Sequence, residues 1–180
     1  MIFKPLPLKG AFEVLLEPRG DERGFFSRFY CDEEFSQHGL NTNWTQMNIS
    51  LTRGIGSLRG LHFQRGFAAE VKLVRCLRGR VYDVIVDLRE GSSSFGQHVG
   101  VVLDAENRNS IYIPKGFAHG FQTLEDEAEL QYLHSEPYSA LQEGGVNLMD
   151  KDLAINWPLP PAQVSDRDKK QPALMEILPL

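Results

Sequence analysis

The chain has 180 residues, 42% of them hydrophobic and 24% charged, with a formal net charge of −5. That composition predicts one globular domain with apolar matter for a core, and it lacks the positive field that drives bulk nucleic-acid binding. Cys31 and Cys76 are too few for a disulfide framework, and no apolar run approaches the roughly 18 residues of a membrane-spanning helix.

The opening stretch is broken by Pro5 and Pro7 and shows no secretory apolar run, so a cytoplasmic protein with no membrane partner is expected. A strand is predicted over 11–17. The one helical segment is 32–39, where Asp32 can cap the start, acids fill the first turn and Gly39 can end it. From there the pattern predicts strands at 44–52, 58–64, 71–78, 81–89, 98–103, 110–113, 117–123 and 128–134. Turn residues separate them, as in Arg78-Gly79-Arg80 and Glu106-Asn107-Arg108-Asn109. Regular short strands with few helices predict a mainly β fold, an antiparallel sandwich or barrel. From about residue 156 the chain turns proline-rich and is expected to run as an extended arm over the domain, pinned by Trp157 and Leu159.

Strand 81–89 places Tyr82, Val84, Val86 and Leu88 on one face, and Val81, Asp83, Ile85 and Asp87 on the other. One apolar face and one mixed face suit a strand beside a partly polar cavity. In Leu58-Arg59-Gly60-Leu61-His62-Phe63-Gln64, regular alternation sets Arg59 and His62 on opposite faces. Gly60 is where a bulge can turn both toward one cavity. Lys72 shares a face with Val74 and Cys76, so it either snorkels outward or serves as a cation inside a pocket. Gln46 and Asn48 present two amides on one face, and Tyr132 lies on a face with Leu130 and His134.

The segment Ile113-Pro114-Lys115-Gly116-Phe117-Ala118-His119-Gly120-Phe121 resembles the second motif of cupin barrels, in which the histidine is often a metal ligand. The matching first motif has His62 but Gln64 where a second histidine belongs, leaving Glu70 as the carboxylate. Such a donor set is depleted, and no metal is expected.

Six motifs in order make the chain resemble the dTDP-4-dehydrorhamnose 3,5-epimerases from about residue 10 to about residue 170. They are Gly20-Asp21-Glu22-Arg23-Gly24-Phe25-Phe26, the segment 58–64, Lys72-Leu73-Val74-Arg75, Asp83-Val84-Ile85-Val86-Asp87-Leu88-Arg89, the segment 113–121 and Glu143-Gly144-Gly145. The resemblance implies a cupin-like antiparallel barrel (jelly roll) and a single domain over 1–180. It implies an isomerase of deoxysugar biosynthesis that needs no cofactor, and a homodimer that exchanges N-terminal strands. Its substrate is a nucleotide-diphospho-4-keto-6-deoxyhexose, most simply dTDP-linked, inverted at carbon 3, carbon 5 or both. The 4-keto group acidifies the hydrogens on both neighbouring carbons, so a base, an acid and an enolate stabiliser suffice.

By the same resemblance His62 is the base, oriented by Asp168 with Asp83 as a further candidate, Tyr132 is the proton donor, and Lys72 is the cation beside the keto oxygen. Arg23, Gln46, Asn48 and Arg59 grip the nucleotide diphosphate, while His119, Tyr138, Glu143 and Arg167 contact substrate. The chain departs from the family pattern at Arg28, Met47, Arg167 and the segment 133–137. Alternatives are a sugar-nucleotide ketoisomerase, a single-centre epimerase, a metal-dependent cupin built on His62, Glu70 and His119, and a non-catalytic sugar-binding barrel.

Overall fold

A computed structural model describes residues 1–180. Thirteen strands and two short α-helices form in chain order: β1 Ile2–Pro5, β2 Phe12–Leu15, β3 Arg19–Asp21, β4 Gly24–Phe26, α1 Asp32–Gln37, β5 Gln46–Arg53, β6 Leu58–Gln64, β7 Lys72–Arg78, β8 Arg80–Asp87, β9 His98–Asp104, β10 Ser110–Ile113, β11 Phe117–Thr123, β12 Glu127–His134, β13 Glu143–Gly145 and α2 Asp166–Lys169. The nine predicted strands correspond to β2 and to β5 through β12. The sequence reading missed β1, the β3–β4 hairpin, β13 and α2. These elements are only three or four residues long, and each offers a weak pattern in the sequence.

The strands make a six-stranded sheet, ordered β1-β2-β10-β7-β12-β5, and a five-stranded sheet, ordered β13-β6-β11-β8-β9. The named ladders are antiparallel. The two sheets face one another without closing into one hydrogen-bonded barrel. The fold is therefore cupin-like but open.

Both sheets bury their inner faces, and their outer faces are covered in part, β5 keeping Met47, Ile49 and Leu51 exposed. Between the sheets lie Val74, Cys76, Ile111, Ile113 and Leu130 from one and Val81, Ile85, Leu103, Phe117 and Phe121 from the other. The outer face of the five-stranded sheet is roofed by the C-terminal arm, with Trp157, Val164 and Leu174 packed on Leu61, Phe63 and Val86. The outer face of the six-stranded sheet receives α1 through the buried Phe35. At about 25 cal/mol per Å² of apolar surface, these contacts dominate the stability of the layers.

Asp32 does not cap α1. The helix begins at Asp32 itself, its N-cap is Cys31 without a side-chain bond, and the Asp32 carboxylate accepts from the Glu33 amide. Gly39 does end it. With φ +69, Gly39 donates to the Ser36 carbonyl while Leu40 donates to the Phe35 carbonyl, a Schellman closure.

The C-terminal segment is tied to the domain by specific bonds. Trp157 Nε1 donates to the Leu148 carbonyl, Gln122 exchanges two side-chain bonds with the Leu159 backbone, and Val164 bridges Leu58 in parallel. Its consequence for the site is α2, whose Asp168 is brought against β6.

Candidate active site

A cavity of about 1150 Å³ opens between the sheets, bounded by β5, β6, β7, β11, β12 and the arm. Its polar wall is set by strand parity and one irregularity. The β6–β11 register pairs His119 with His62 and Phe121 with Arg59, so β6 carries one extra residue at Gly60–Leu61. That bulge turns both Arg59 and His62 to the cavity and sends Leu58, Leu61 and Phe63 outward into the apolar layer beneath the arm.

His62 Nε2 lies 2.7 Å from Asp168 Oδ1. The other Asp168 oxygen accepts the Gly60 amide at 3.4 Å, and Ser165 Oγ caps the Asp168 amide. Burial opposes ionisation of Asp168, yet the bonds from His62, Gly60 and Ser165 outweigh it and hold the carboxyl below its usual range. An ionised Asp168 requires the proton on Nε2 and leaves Nδ1 of His62 as a bare base.

The second imidazole repeats the device. His119 Nε2 is 2.8 Å from Asp83 Oδ2, and Asp83 is fully buried. Burial pushes the Asp83 carboxyl upward, against the opposing pull of His119 and Lys72. Asp83 Oδ1 has no hydrogen-bond partner. Asp83 meets substrate-facing groups through His119 and does not itself line the cavity, and the other acid on that strand face, Asp87, is spent on Arg89, Ser92 and Ser94.

Lys72 is buried inside the pocket, so the snorkelling alternative is excluded. Its Nζ sits 3.3 Å from Glu70 Oε1 and 3.4 Å from the His62 carbonyl. Glu70 also binds His134 Nδ1 at 2.8 Å. Burial raises its pKa, but these two partners win and keep it below the ordinary value.

Tyr132 packs against the inter-sheet core and lines the same cavity as His62. Its ring lies edge-on to His119 at 6.2 Å between centroids and stacks on His134 at 6.0 Å. Its hydroxyl is 3.0 Å from Ser50 Oγ. Burial, reinforced by the Asp83 charge, holds the phenol well above its usual range, so it stays protonated across neutral pH.

The rim gathers most of the other expected residues. Gln46 bonds Asn48 and the Tyr138 amide, Tyr138 donates to Glu143, and Arg167 pairs with Glu143 at 2.5 Å. Arg59 reaches the Leu51 carbonyl from inside the cavity. Gln64 is a structural clamp: it donates to the Ala68 and Pro137 carbonyls and accepts from Ser139, fixing the loop that carries Tyr138.

Arg23 is the exception. It lies on the β3–β4 hairpin, 87% exposed, paired with Asp21 beside a separate surface depression, and is outside the cavity of its own chain. Arg28 pairs with Glu34 and is also outside. Ser50 and the Glu70–His134 pair were not singled out from the sequence as substrate-site residues. Serine is too common on strands to signal a site, and a carboxylate 64 residues from its histidine shows no local spacing. No group of three or more metal-type side chains assembles. Glu70 turns to His134 and Lys72, away from His62 and His119.

A sequence model of the dTDP-4-dehydrorhamnose 3,5-epimerases matches residues 5–176. The chain is 45% identical to the dTDP-4-dehydrorhamnose 3,5-epimerase of Salmonella typhimurium, over 92% of each chain. The crystal structure of the Elizabethkingia anophelis dTDP-4-dehydrorhamnose 3,5-epimerase superposes with a TM-score of 0.94 at 42% identity, covering 98% of this chain and 97% of that one. A Legionella pneumophila dTDP-6-deoxy-D-glucose-3,5-epimerase in complex with dTDP-4-keto-L-rhamnose gives a TM-score of 0.92 at 37% identity, over 99% and 97%.

Proposed function

The chain belongs to the dTDP-4-dehydrorhamnose 3,5-epimerase family and is an isomerase, and from that premise we propose that it inverts carbons 3 and 5 of a dTDP-linked 4-keto-6-deoxyhexose by proton transfer between His62 and Tyr132. One observation carries the reading: a carboxylate-oriented imidazole and a protonated phenol line a single cavity that also holds a buried ammonium.

In this mechanism the bare Nδ1 of His62 removes the hydrogen from a carbon next to the ketone, and Asp168 stabilises the imidazolium that forms. The electron pair moves onto the keto oxygen as an enolate, which Lys72 meets with its charge and N–H groups. Tyr132 then returns a hydrogen to the opposite face of the same carbon. His119, aligned by Asp83, offers a second hydrogen-bonding group to the ring. Arg59 and Arg167 supply forked donors for the diphosphate, with Asn48, Tyr138 and Glu143 completing the rim. The likeness to a structure bound to dTDP-4-keto-L-rhamnose supports this substrate class.

The working unit is a homodimer in the cytoplasm. Met47, Ile49 and Leu51, alternate residues of β5, are exposed and face the same way as the sheet's outer residues, and 63% of Ile49 is accessible. Beside them Arg75 stacks on Phe29 with its Nε unpartnered. A second copy would cover this face and bring its Arg23 hairpin toward a neighbouring cavity.

Proton NMR of dTDP-4-keto-6-deoxyglucose with the enzyme in deuterated water tests the reading. Deuterium enters carbons 3 and 5 and the inverted product accumulates. Absence of exchange at both carbons refutes it.

A further inference from the structure

We propose that Glu70, clamped by His134, positions the Lys72 ammonium for the keto oxygen. The inference rests on the reading of Lys72 as the cation that meets the enolate. A lysine is poorly suited to that task on its own, because its charge sits at the end of a flexible four-carbon stem. A reacting group misplaced by about 1 Å can lose about a hundredfold in rate. Something must therefore hold Nζ in place inside the cavity.

Two contacts hold it. An ammonium has three N–H groups. The His62 carbonyl accepts from Nζ at 3.4 Å, and Glu70 Oε1 pairs with it at 3.3 Å. That fixes the group from two sides and leaves an N–H for a substrate oxygen. Asp83, the other acid whose charge reaches Lys72, is bonded to His119.

Glu70 precedes β7 on a loop and needs an anchor of its own. Its second oxygen accepts from His134 Nδ1 at 2.8 Å. The neighbours set this tautomer. Gln46 donates to Asn48 Oδ1, so Asn48 presents Nδ2 to His134 Nε2 at 3.4 Å, and the imidazole proton stays on Nδ1. His134 faces Lys72 in the β12–β7 ladder, and its ring stacks on Tyr132. The backbone is fastened beside it, where Val71 and Ser135 exchange two bonds.

Glu70, Lys72 and His134 all line the cavity. The Glu70 and Lys72 side chains are only 7% and 10% exposed. Apolar residues commonly replace a buried ion pair without loss of stability, so the fold alone does not account for this one. Glu70 acts through Lys72, and His134 through Glu70; both are positioning residues.

The test is steady-state kinetics of the full chain with dTDP-4-keto-6-deoxyglucose, with thermal unfolding run alongside. Glu70→Ala lowers kcat about tenfold or more and changes KM less than about twofold. Glu70→Gln, which keeps the length and an acceptor oxygen, stays within about threefold of wild type. In a Lys72→Ala background, Glu70→Ala costs less than about twofold more, because the contact it supports is already gone. His134→Phe keeps a ring against Tyr132 but removes the donor to Glu70. It lowers kcat severalfold, again only when Lys72 is present, and carries the test should Glu70→Ala fail to fold. An unchanged kcat in both Glu70→Ala and His134→Phe overturns the proposal. So does an effect on KM alone, an equal loss with and without Lys72, or a Glu70→Gln enzyme as slow as Glu70→Ala. A Lys72→Ala enzyme as fast as wild type overturns instead the reading of Lys72 beneath the proposal, which is a separate and visible failure.

Discussion

His62 and His119 are register partners across the β6–β11 ladder, and each gives its Nε2 to a different buried carboxylate, Asp168 from the arm and Asp83 from β8. Two imidazoles on adjacent strands are thus each held through Nε2 by a carboxyl group, one from the C-terminal arm and one from β8. Only His62 is partly accessible, with 31% of its side chain exposed against 6% for His119. In the mechanism proposed above the more accessible His62 is the base and His119 a fixed hydrogen-bonding group.

His62→Ala is expected to abolish deuterium exchange at both carbons, by 10² to 10⁴-fold or about that order for a lost general base. Asp168→Asn leaves the imidazole in place but removes the charge that selects its tautomer, so kcat falls while KM changes little. Steady-state kinetics of both variants check this. A KM effect without a kcat effect would mean that Asp168 serves binding instead.

Tyr132→Phe should slow inversion more than the first exchange, since abstraction by His62 precedes the phenol's donation. Deuterium incorporation into recovered substrate, measured against product formation, reads the two steps separately. Equal loss of both would remove Tyr132 from the role of acid.

Gly60→Ala should damage both stability and activity. Gly60 adopts φ +127, and an added Cβ would lie 2.5 Å from the Gly120 Cα and 2.9 Å from the His119 carbonyl oxygen, backbone atoms that cannot move aside. The cost is about 1–3 kcal/mol of overpacking. Thermal unfolding gives the loss, and the exchange assay shows His62 displaced with its strand.

Acid should unfold the protein in a predictable window. Buried Asp87 accepts from Arg89, Ser92 and Ser94, and despite the burial that opposes ionisation these bonds hold its carboxyl far below the usual range. Its folded pKa lies below its unfolded value near 4, so the unfolded chain binds the extra proton. The stabilisation is present above about pH 4 and is lost as the pH falls toward the folded value. Asp87→Asn should lower neutral-pH stability by about 3 kcal/mol and flatten the acid limb of a Tm-versus-pH curve.

The proposed dimer predicts that Ile49→Lys, which puts a charge in the exposed apolar row, shifts sedimentation toward monomer and weakens activity at low protein concentration. An unchanged sedimentation coefficient would place any interface elsewhere. Arg23→Ala should raise KM only in the assembled state, because within one chain Arg23 does not reach the cavity.

Much of this was legible in the residues. Apolar alternation located β2 and β5 through β12, Gly60 marked the β6 bulge, and the apolar company of Lys72 on its strand face left a snorkelling lysine and a pocket cation open until the structure chose the pocket. These are local properties, decided by side-chain parity and backbone freedom over a few residues. The motifs, read by resemblance, named His62, Tyr132 and Asp168, and the cavity gathers all three. What local pattern could not supply was contact across sequence distance. The sequence separations of 106 from His62 to Asp168, 82 from Ser50 to Tyr132 and 64 from Glu70 to His134 carry no periodic trace. Those pairings exist because the ladders and the arm fold distant segments onto one another, and the fold likewise carried Arg23 away from the pocket to which its motif had assigned it. Strand by strand, hydrophobic period sets which face a side chain takes; which carboxylate or hydroxyl then meets it depends on chain closure, and only the assembled layers decide that.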